Sequence, residues 1–242
     1  MTPGHPDPTP TPAPAPASSP SYVPSTRLLA WTLVAGALLV AGALRDGQPP
    51  QPSEGQAFSA PATPPAGGTT PAASPAGGTA PAAGPTVQPL PPSPPLRLRI
   101  PAIGVDAPLS KLDLDASGAL RPPPADAPGL AGWYGGGTSP GSVGTAVTAG
   151  HVDLPTGAPG VFYRLGFVAK GNTVEIDRAD RRTAVFTVDA VELYDKDRFP
   201  DDKVYGSSGR AELRVITCGG GYTKRTGYQG NVVVYATLTA VR

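Results

Sequence analysis

Cysteine and histidine are the scarcest chemically versatile residues in this sequence. Among 242 residues there is one cysteine, Cys218, and there are two histidines, His5 and His151. A single cysteine excludes an internal disulfide, and in an exported protein it marks a thiol that is free to react. No Cys-x-x-Cys pair occurs, and Cys218 is far from His151 in sequence, which argues against a zinc site. We therefore expect neither a metal nor a cofactor.

The chain also has no large excess of positive or negative charge. The formal net charge is +1, and the lysines and arginines form no basic cluster. Proteins that bind nucleic acids usually carry such a cluster, because the phosphate backbone supplies much of the binding energy. We therefore expect no nucleic-acid partner.

Apolar residues are sparse before residue 97, with one exception. The chain contains 31 glycines and 34 prolines, and they are concentrated in this part. Segments of this composition cannot bury enough apolar surface to offset the entropy of ordering the chain. We predict a disordered Pro-rich tail over residues 1–27 and a Pro/Gly/Ala/Thr-rich linker over residues 45–96, acting as a spacer.

The exception is the uncharged run LLAWTLVAGALLVAGAL at residues 28–44. As a helix it would be about 26 Å long, close to the lower limit for crossing a bilayer. A cleavable signal peptide and a buried core helix are the alternatives. Predicted disorder on both sides argues against a core helix, and the preceding segment is long for the n-region of a signal peptide. We therefore favour an uncleaved transmembrane anchor. The expected localisation is the plasma membrane, single-pass, with the following domain extracellular.

Residues 97–242 are enough for one folded domain. Alternating or continuous apolar runs predict strands at 97–100, 184–194, 213–218 and 231–238, two strands around a turn within 168–176, and a short helix or turn at 199–206. Sustained helical periodicity is absent. Short strands separated by turn signals are typical of an all-β sandwich or barrel.

Cys218 closes a strand-like run, LRVITC, that continues directly into glycines. A thiol at a strand end is fixed by the strand and accessible from the turn. The alternative interpretation is a small buried apolar residue, which most free cysteines are.

His151 favours the chemical interpretation of Cys218. It follows the strand-like run TAVTAG, and it is the sole histidine outside the Pro-rich tail. A nucleophilic thiol needs a partner that accepts its proton or stabilises the thiolate, and imidazole is the usual one. The two residues therefore predict a Cys–His pair.

Three motifs resemble the sortases, most closely the class F group of high-GC Gram-positive bacteria. They are TAGHVD around His151, VITCGGGY around Cys218, and the closing NVVVYA. The segments LRIPAIGVDAPL, GVFYRL and KGNTVEI support the resemblance, which covers residues 97–242. It implies a closed eight-stranded β-barrel with short helices, preceded by an anchor and a linker.

The resemblance also implies an activity. Sortases are cysteine transpeptidases that cleave an LPXTG-like sorting signal of exported proteins through an acyl-thioester, which an amine of a cell-wall precursor resolves. By this resemblance Cys218 is the nucleophile, and His151 is the proton donor and acceptor. The partners would be sorting-signal proteins, a cell-wall amine and the membrane.

One position departs from the family pattern. Sortases place an arginine just before the closing strand, to position the substrate and stabilise the oxyanion, and here that stretch reads Gln229-Gly230-Asn231. Asn231 is one candidate replacement, because amide donors serve in oxyanion holes. Arg225, in the loop after Cys218, is another. Arg214 is a third, because its strand parity matches that of Cys218.

Other polar and aromatic residues near these motifs have two interpretations each. Asp153 is a candidate to orient the imidazole, although capping of the following loop is favoured. Trp133 and Tyr134 are candidates for a substrate groove, although core packing is favoured.

Three other functions compete with the transpeptidase. An L,D-transpeptidase also pairs Cys with His, but the flanking residues Thr217, Gly219 and Val152 do not match its motifs. A non-catalytic, membrane-tethered binding module on the same barrel would explain the missing arginine. Hydrolysis of the acyl-enzyme by water is the third alternative.

Overall fold

A computed structural model describes residues 48–58 and 87–242. Eight strands form a closed barrel in the order β1-β2-β3-β4-β7-β8-β6-β5. The strands are β1 (Pro95–Ile100), β2 (Val105–Leu112), β3 (Ala131–Tyr134), β4 (Gly144–Ala149), β5 (Thr173–Arg178), β6 (Thr183–Asp195), β7 (Ala211–Thr223) and β8 (Gly227–Val241). The predicted all-β barrel is confirmed.

Helical structure in the described residues is short. One α-helix, α1 (Asp201–Tyr205), lies between β6 and β7, and 3-10 turns occur at Glu54–Gln56, Pro101–Ile103, Leu165–Phe167 and Lys196–Arg198. The helix α1 falls where residues 199–206 predict a turn or short helix. None of the helices within 48–58 and 87–242 has the length and hydrophobicity needed to cross a bilayer. The predicted anchor at 28–44 lies outside the described residues.

The inward faces of the strands build the main core. Along β7, Leu213 and Val215 alternate with outward residues and are fully buried, as are Val234 and Ala236 of β8. A second, smaller cluster lies on the outer face, where Val204 of α1 covers Val233 and Tyr235. Period-two alternation therefore sets which β7 side chains enter the barrel and which face the outer surface.

Two of the strand predictions were wrong in detail. The run 168–176 contains one strand and not two: residues 168–172 form a loop and turn, and β5 begins at Thr173. The strand that carries Cys218 does not end there. Pairing with β8 carries β7 on to Thr223, with a register shift between Gly219 and Tyr222. The hairpin supplies hydrogen-bonding partners, so the glycines bend the strand without ending it.

The stretch predicted as linker, residues 45–96, includes parts that contact the barrel. Leu90 is buried, and its N–H donates to the carbonyl of Gly141 at 2.8 Å. Residues 49–58 also contact the barrel. The packed domain therefore extends beyond the predicted start at residue 97.

Candidate active site

Two parallel strands bring Cys218 and His151 to the same edge of the barrel. β4 and β7 pair in parallel, with Ala149 opposite Ile216. The pairing continues past β4, since the N–H of Gly150 donates to the Ile216 carbonyl at 3.2 Å. Cys218 and His151 each follow the Ala149–Ile216 pair by two residues. Because parallel strands run the same way, both residues emerge side by side.

The hydroxyl of Thr217 reinforces this junction. Its Oγ1 donates to the carbonyl of Gly150 at 2.8 Å, and the Thr217 side chain is buried. This bond joins the residue before Cys218 to the residue before His151. Thr217 faces inward, so its neighbour Cys218 faces the outer surface, where the thiol is half-buried.

Cys218, His151 and Asn231 line one cavity of about 700 Å³. Its remaining walls are largely apolar and come from the loop between β2 and β3, from strand β4, and from the α1 region. The apolar and aromatic lining residues include Leu114, Leu120, Tyr134, Val147, Tyr205 and Ile216. Tyr134 therefore faces the cavity, against the favoured interpretation of core packing, whereas Trp133 is not among the lining residues.

A backbone carbonyl orients the imidazole of His151. Its Nε2 lies 2.7 Å from the carbonyl oxygen of Pro123, in the loop between β2 and β3. A carbonyl can only accept, so Nε2 carries the proton. In the neutral ring, Nδ1 is then the basic nitrogen. The contact with Pro123 thus fixes the tautomer of the neutral imidazole.

Of the three candidates for the missing arginine, the structure brings Asn231 to the thiol. Asn231 is the direct cross-strand partner of Cys218. Residues that face each other in this way have Cβ atoms about 5 Å apart. Asn231 is half-buried and lines the cavity together with Cys218.

Neither arginine candidate lines this cavity. Arg225 is exposed in the tip of the β7–β8 hairpin. Arg214 does share the outer face with Cys218, as its parity predicts, but it lies four residues away along β7, about 13 Å. Its guanidinium is buried and donates to Glu212 Oε2 at 2.7 Å and to the Val204 carbonyl at 3.0 Å. Arg214 therefore supports packing and is not available to a substrate at Cys218.

Asp153 holds the loop after His151 to the β7–β8 hairpin. The hydroxyl of Tyr228 donates to Asp153 Oδ2 at 2.6 Å. Burial and then this hydrogen bond raise the pKa of Tyr228 above its usual range, so the hydroxyl stays protonated. Asp153 is thus a link between the two segments that carry His151 and Asn231.

Sequence reasoning missed Pro123 and Tyr228. Pro123 acts through its carbonyl, which every residue has, so no residue type could have revealed the contact. Tyr228 lies in the hairpin after Cys218. The only sequence signal for it was Asp153, whose carboxylate could accept a hydrogen bond from that hairpin.

The comparisons with known proteins agree with this fold. A family model described as "Sortase domain" matches residues 98–239, more than half of the chain. No curated protein matches.

Solved sortases are similar in structure. Sortase A of Listeria monocytogenes has 18% identity and a TM-score of 0.44, over 61% of this chain and 88% of that chain. The sortase SrtA of Actinomyces oris has 18% identity and a TM-score of 0.46, over 66% of this chain and 88% of that chain. On the match of the family model, the chain belongs to the sortase family, whose members are cysteine transpeptidases.

Proposed function

We propose that the chain is a membrane-anchored sortase that cleaves an LPXTG-like sorting signal and transfers the protein to a cell-wall amine. The observation that carries the proposal is that Cys218, His151 and Asn231 line the same cavity. These are a nucleophile, a proton carrier and an amide donor. The class F assignment rests on the sequence motifs around the first two residues and in β8.

In the first step, the thiolate of Cys218 attacks the carbonyl carbon between Thr and Gly of the signal. A tetrahedral intermediate forms, and its oxyanion needs hydrogen-bond donors. The C–N bond then breaks, and the imidazolium of His151 gives a proton to the leaving amine. The products are a thioester on Cys218 and a released peptide that begins with Gly.

In the second step, the amine of a cell-wall precursor attacks the thioester. Neutral His151 accepts the proton from the attacking nitrogen, and Cys218 leaves as a thiolate. A new amide bond joins the sorted protein to the acceptor. Water in place of the amine would give hydrolysis, so the outcome depends on which nucleophile reaches the thioester first.

Asn231 takes the position of the family arginine in this proposal. Its amide N–H₂ is a neutral donor on the same face as the thiol, opposite Cys218. A neutral donor stabilises an oxyanion less than a guanidinium does, because charge-assisted hydrogen bonds are about twice as strong. We therefore propose Asn231 as the oxyanion donor of a site that works without the arginine.

The shape and chemistry of the cavity support a peptide substrate of this type. Its apolar lining by Leu114, Leu120 and Val147 suits the Leu and Pro side chains of the signal. Burial of those groups in an apolar site is favourable by about 25 cal/mol for each Å².

Residues 28–44 would anchor the protein in the plasma membrane and leave the barrel extracellular.

Intact mass spectrometry of the full-length chain tests the proposal. The protein is mixed with an LPXTG-type peptide, with and without an added amine, and Cys218→Ala is the control. We expect an acyl adduct on the wild-type protein that the amine converts to an amide product. An adduct that water alone resolves would indicate a hydrolase. No adduct across a panel of related peptides would favour the non-catalytic binding module.

A further inference from the structure

Residues 49–58 lie against the barrel, next to the candidate active site. We call them the clasp. Three of its side chains, those of Gln51, Gln56 and Phe58, contact the barrel at separate places. The predicted role of this stretch, a spacer, requires none of these contacts.

Gln56 and Pro50 anchor the clasp to the 3-10 turn Leu165–Phe167, which precedes β5. Gln56 Nε2 donates to the carbonyls of Gly166 at 2.9 Å and Val168 at 2.5 Å. The backbone carbonyl of Pro50 packs so closely on Gly166 that a Cβ there would collide with it. Gly166 is buried and its φ is not positive, so the missing Cβ makes room for the clasp.

Gln51 contacts the irregular stretch of β7 after Cys218, where the backbone turns at Gly220. The register shift after Gly219 takes Gly220 out of the ladder with β8, and Gly220 has a φ of 78°. Its N–H donates instead to Gln51 Oε1 at 2.8 Å. Three consecutive glycines make this turn flexible. A hydrogen bond from outside the hairpin therefore restrains the backbone two residues from the thiol.

Phe58 contacts the barrel near α1, which forms another part of the cavity wall. Its ring packs edge-on against Tyr235, with centroids 5.1 Å apart, and Lys203 Nζ lies 5.2 Å above the Phe58 ring. Lys203 belongs to α1, and α1 residues Asp201 and Tyr205 line the cavity that holds Cys218. The Phe58 N–H also donates to Glu192 Oε1 at 3.1 Å. Phe58 thus contacts α1 through the ammonium group of Lys203.

We propose that the clasp positions the active site: Gln51 fixes the turn after Cys218, and Phe58 supports the α1 wall of the cavity. The inference rests on the proposed role of Cys218 as nucleophile. Gln51 and Phe58 are positioning residues, because they act through Gly220 and Lys203. A loosened turn misaligns the thiol with Asn231 and lowers kcat. A loosened α1 weakens peptide binding and raises KM.

Docking is tested first, in the full-length chain. Gln56→Ala removes the anchor from the clasp, and Gly166→Ala displaces the clasp from the barrel side. Both variants should be cut after Glu54 by a glutamate-specific protease at least fivefold faster than the wild type. Gly129→Ala is the matched glycine control, because a Cβ there meets open space. Wild-type cleavage rates in both variants would overturn the proposal.

Hydrogen exchange then tests the positioning without any substrate. Gln51→Met removes the acceptor for Gly220 at similar size. We expect amide exchange in residues 219–222 to be at least fivefold faster in this variant and in Gly166→Ala. Exchange in β1 should be unchanged, which separates a local effect from global destabilisation. Unchanged exchange in residues 219–222 would overturn the proposal.

Steady-state kinetics link the contacts to catalysis. Gln51→Met should lower kcat about fivefold with KM unchanged, and Gln51→Glu, which keeps an acceptor, should recover most of kcat. Phe58→Ala should raise KM about fivefold, and Glu54→Ala, at an exposed position, should match the wild type. Values within twofold of the wild type in Gln51→Met and Phe58→Ala would overturn the proposal. A wild-type protein that cleaves no sorting signal would instead contradict the proposed function, and the exchange result would still stand.

Discussion

Asn231 lies directly opposite Cys218 in the antiparallel pairing of β7 and β8. The amide of Asn231 and the thiol therefore share the outer face of two neighbouring strands and line one cavity. The β7–β8 hairpin and the register shift between Gly219 and Tyr222 together set this pairing, because a one-residue change of register would move Asn231 to the other face.

The first prediction concerns this pair. Asn231→Ala should lower kcat about 100-fold with little change in KM, as the loss of an oxyanion donor does in other acyl-transfer enzymes. Asn231→Arg, which restores the family residue, should retain or raise kcat. Asn231→Asp places a carboxylate near the oxyanion and should be no better than Asn231→Ala. Turnover of a sorting-signal peptide measures all three, and an Asn231→Ala variant within twofold of the wild type would refute the role.

The position of Asn231 next to Cys218 was predictable from the sequence, but the contacts that the competing arginines make were not. Counting from the closing strand leads to Asn231, and pairing of consecutive strands makes it a neighbour of the preceding strand. Parity correctly places Arg214 on the face of Cys218. Parity says nothing of Glu212 and the Val204 carbonyl, which occupy its guanidinium. Such partners depend on how α1 packs, which is a tertiary contact.

The clasp shows a second limit of composition. Residues 49–58 lie in a Pro/Gly-rich stretch that predicts no packing, because few of its side chains are apolar. Hydrogen bonds of the Gln51 and Gln56 side chains and ring contacts of Phe58 nevertheless join it to the barrel. Composition averaged over a stretch of residues does not show that a few particular side chains find hydrogen-bonding partners or an aromatic ring on the barrel.

The second prediction concerns the bond between Tyr228 and Asp153. Removing either group should loosen the loop that carries His151, so Tyr228→Phe and Asp153→Asn should each lower kcat/KM several-fold. The double variant should be no worse than the poorer single variant, because both changes remove one interaction. Urea unfolding of the four proteins should give a coupling free energy of about 1 kcal/mol. Strictly additive effects would show that the two groups act independently.

The third prediction is a loss of stability at alkaline pH. The pKa values of Tyr194, Tyr228 and Tyr235 are raised, mainly by burial. A hydrogen bond adds to the effect in each case: Tyr194 with Glu192, Tyr228 with Asp153, and Tyr235 with Tyr194. A raised folded-state pKa favours the neutral phenol, so its stabilisation is complete below the unfolded pKa of about 10 and declines above it. The free energy of unfolding should therefore fall steeply above pH 10. A profile that is flat to pH 11.5 would contradict the buried state of these hydroxyls.

The last prediction separates the buried ion pair of Arg214 and Glu212 from the active site. Their side chains are each 7% exposed, and Arg210 joins Glu212 from the surface at 2.7 Å. Burial alone would raise the pKa of Glu212, but hydrogen bonds from Ser208, Arg214 and Arg210 hold it below its usual value. The stabilisation is therefore present above the unfolded pKa, about 4.3, and is lost as pH falls through the folded pKa.

Glu212→Ala leaves Arg214 buried without its carboxylate and should cost about 3 kcal/mol of unfolding free energy. Arg210→Ala, at the exposed end, should cost less than about 1 kcal/mol. Combining Glu212→Ala with Arg214→Met removes both charges and should recover much of the loss, because no unpaired charge remains. If Arg214 acted in catalysis, this double variant would lose turnover despite its recovered stability. Retained turnover is the result expected of a residue that packs α1 against β7.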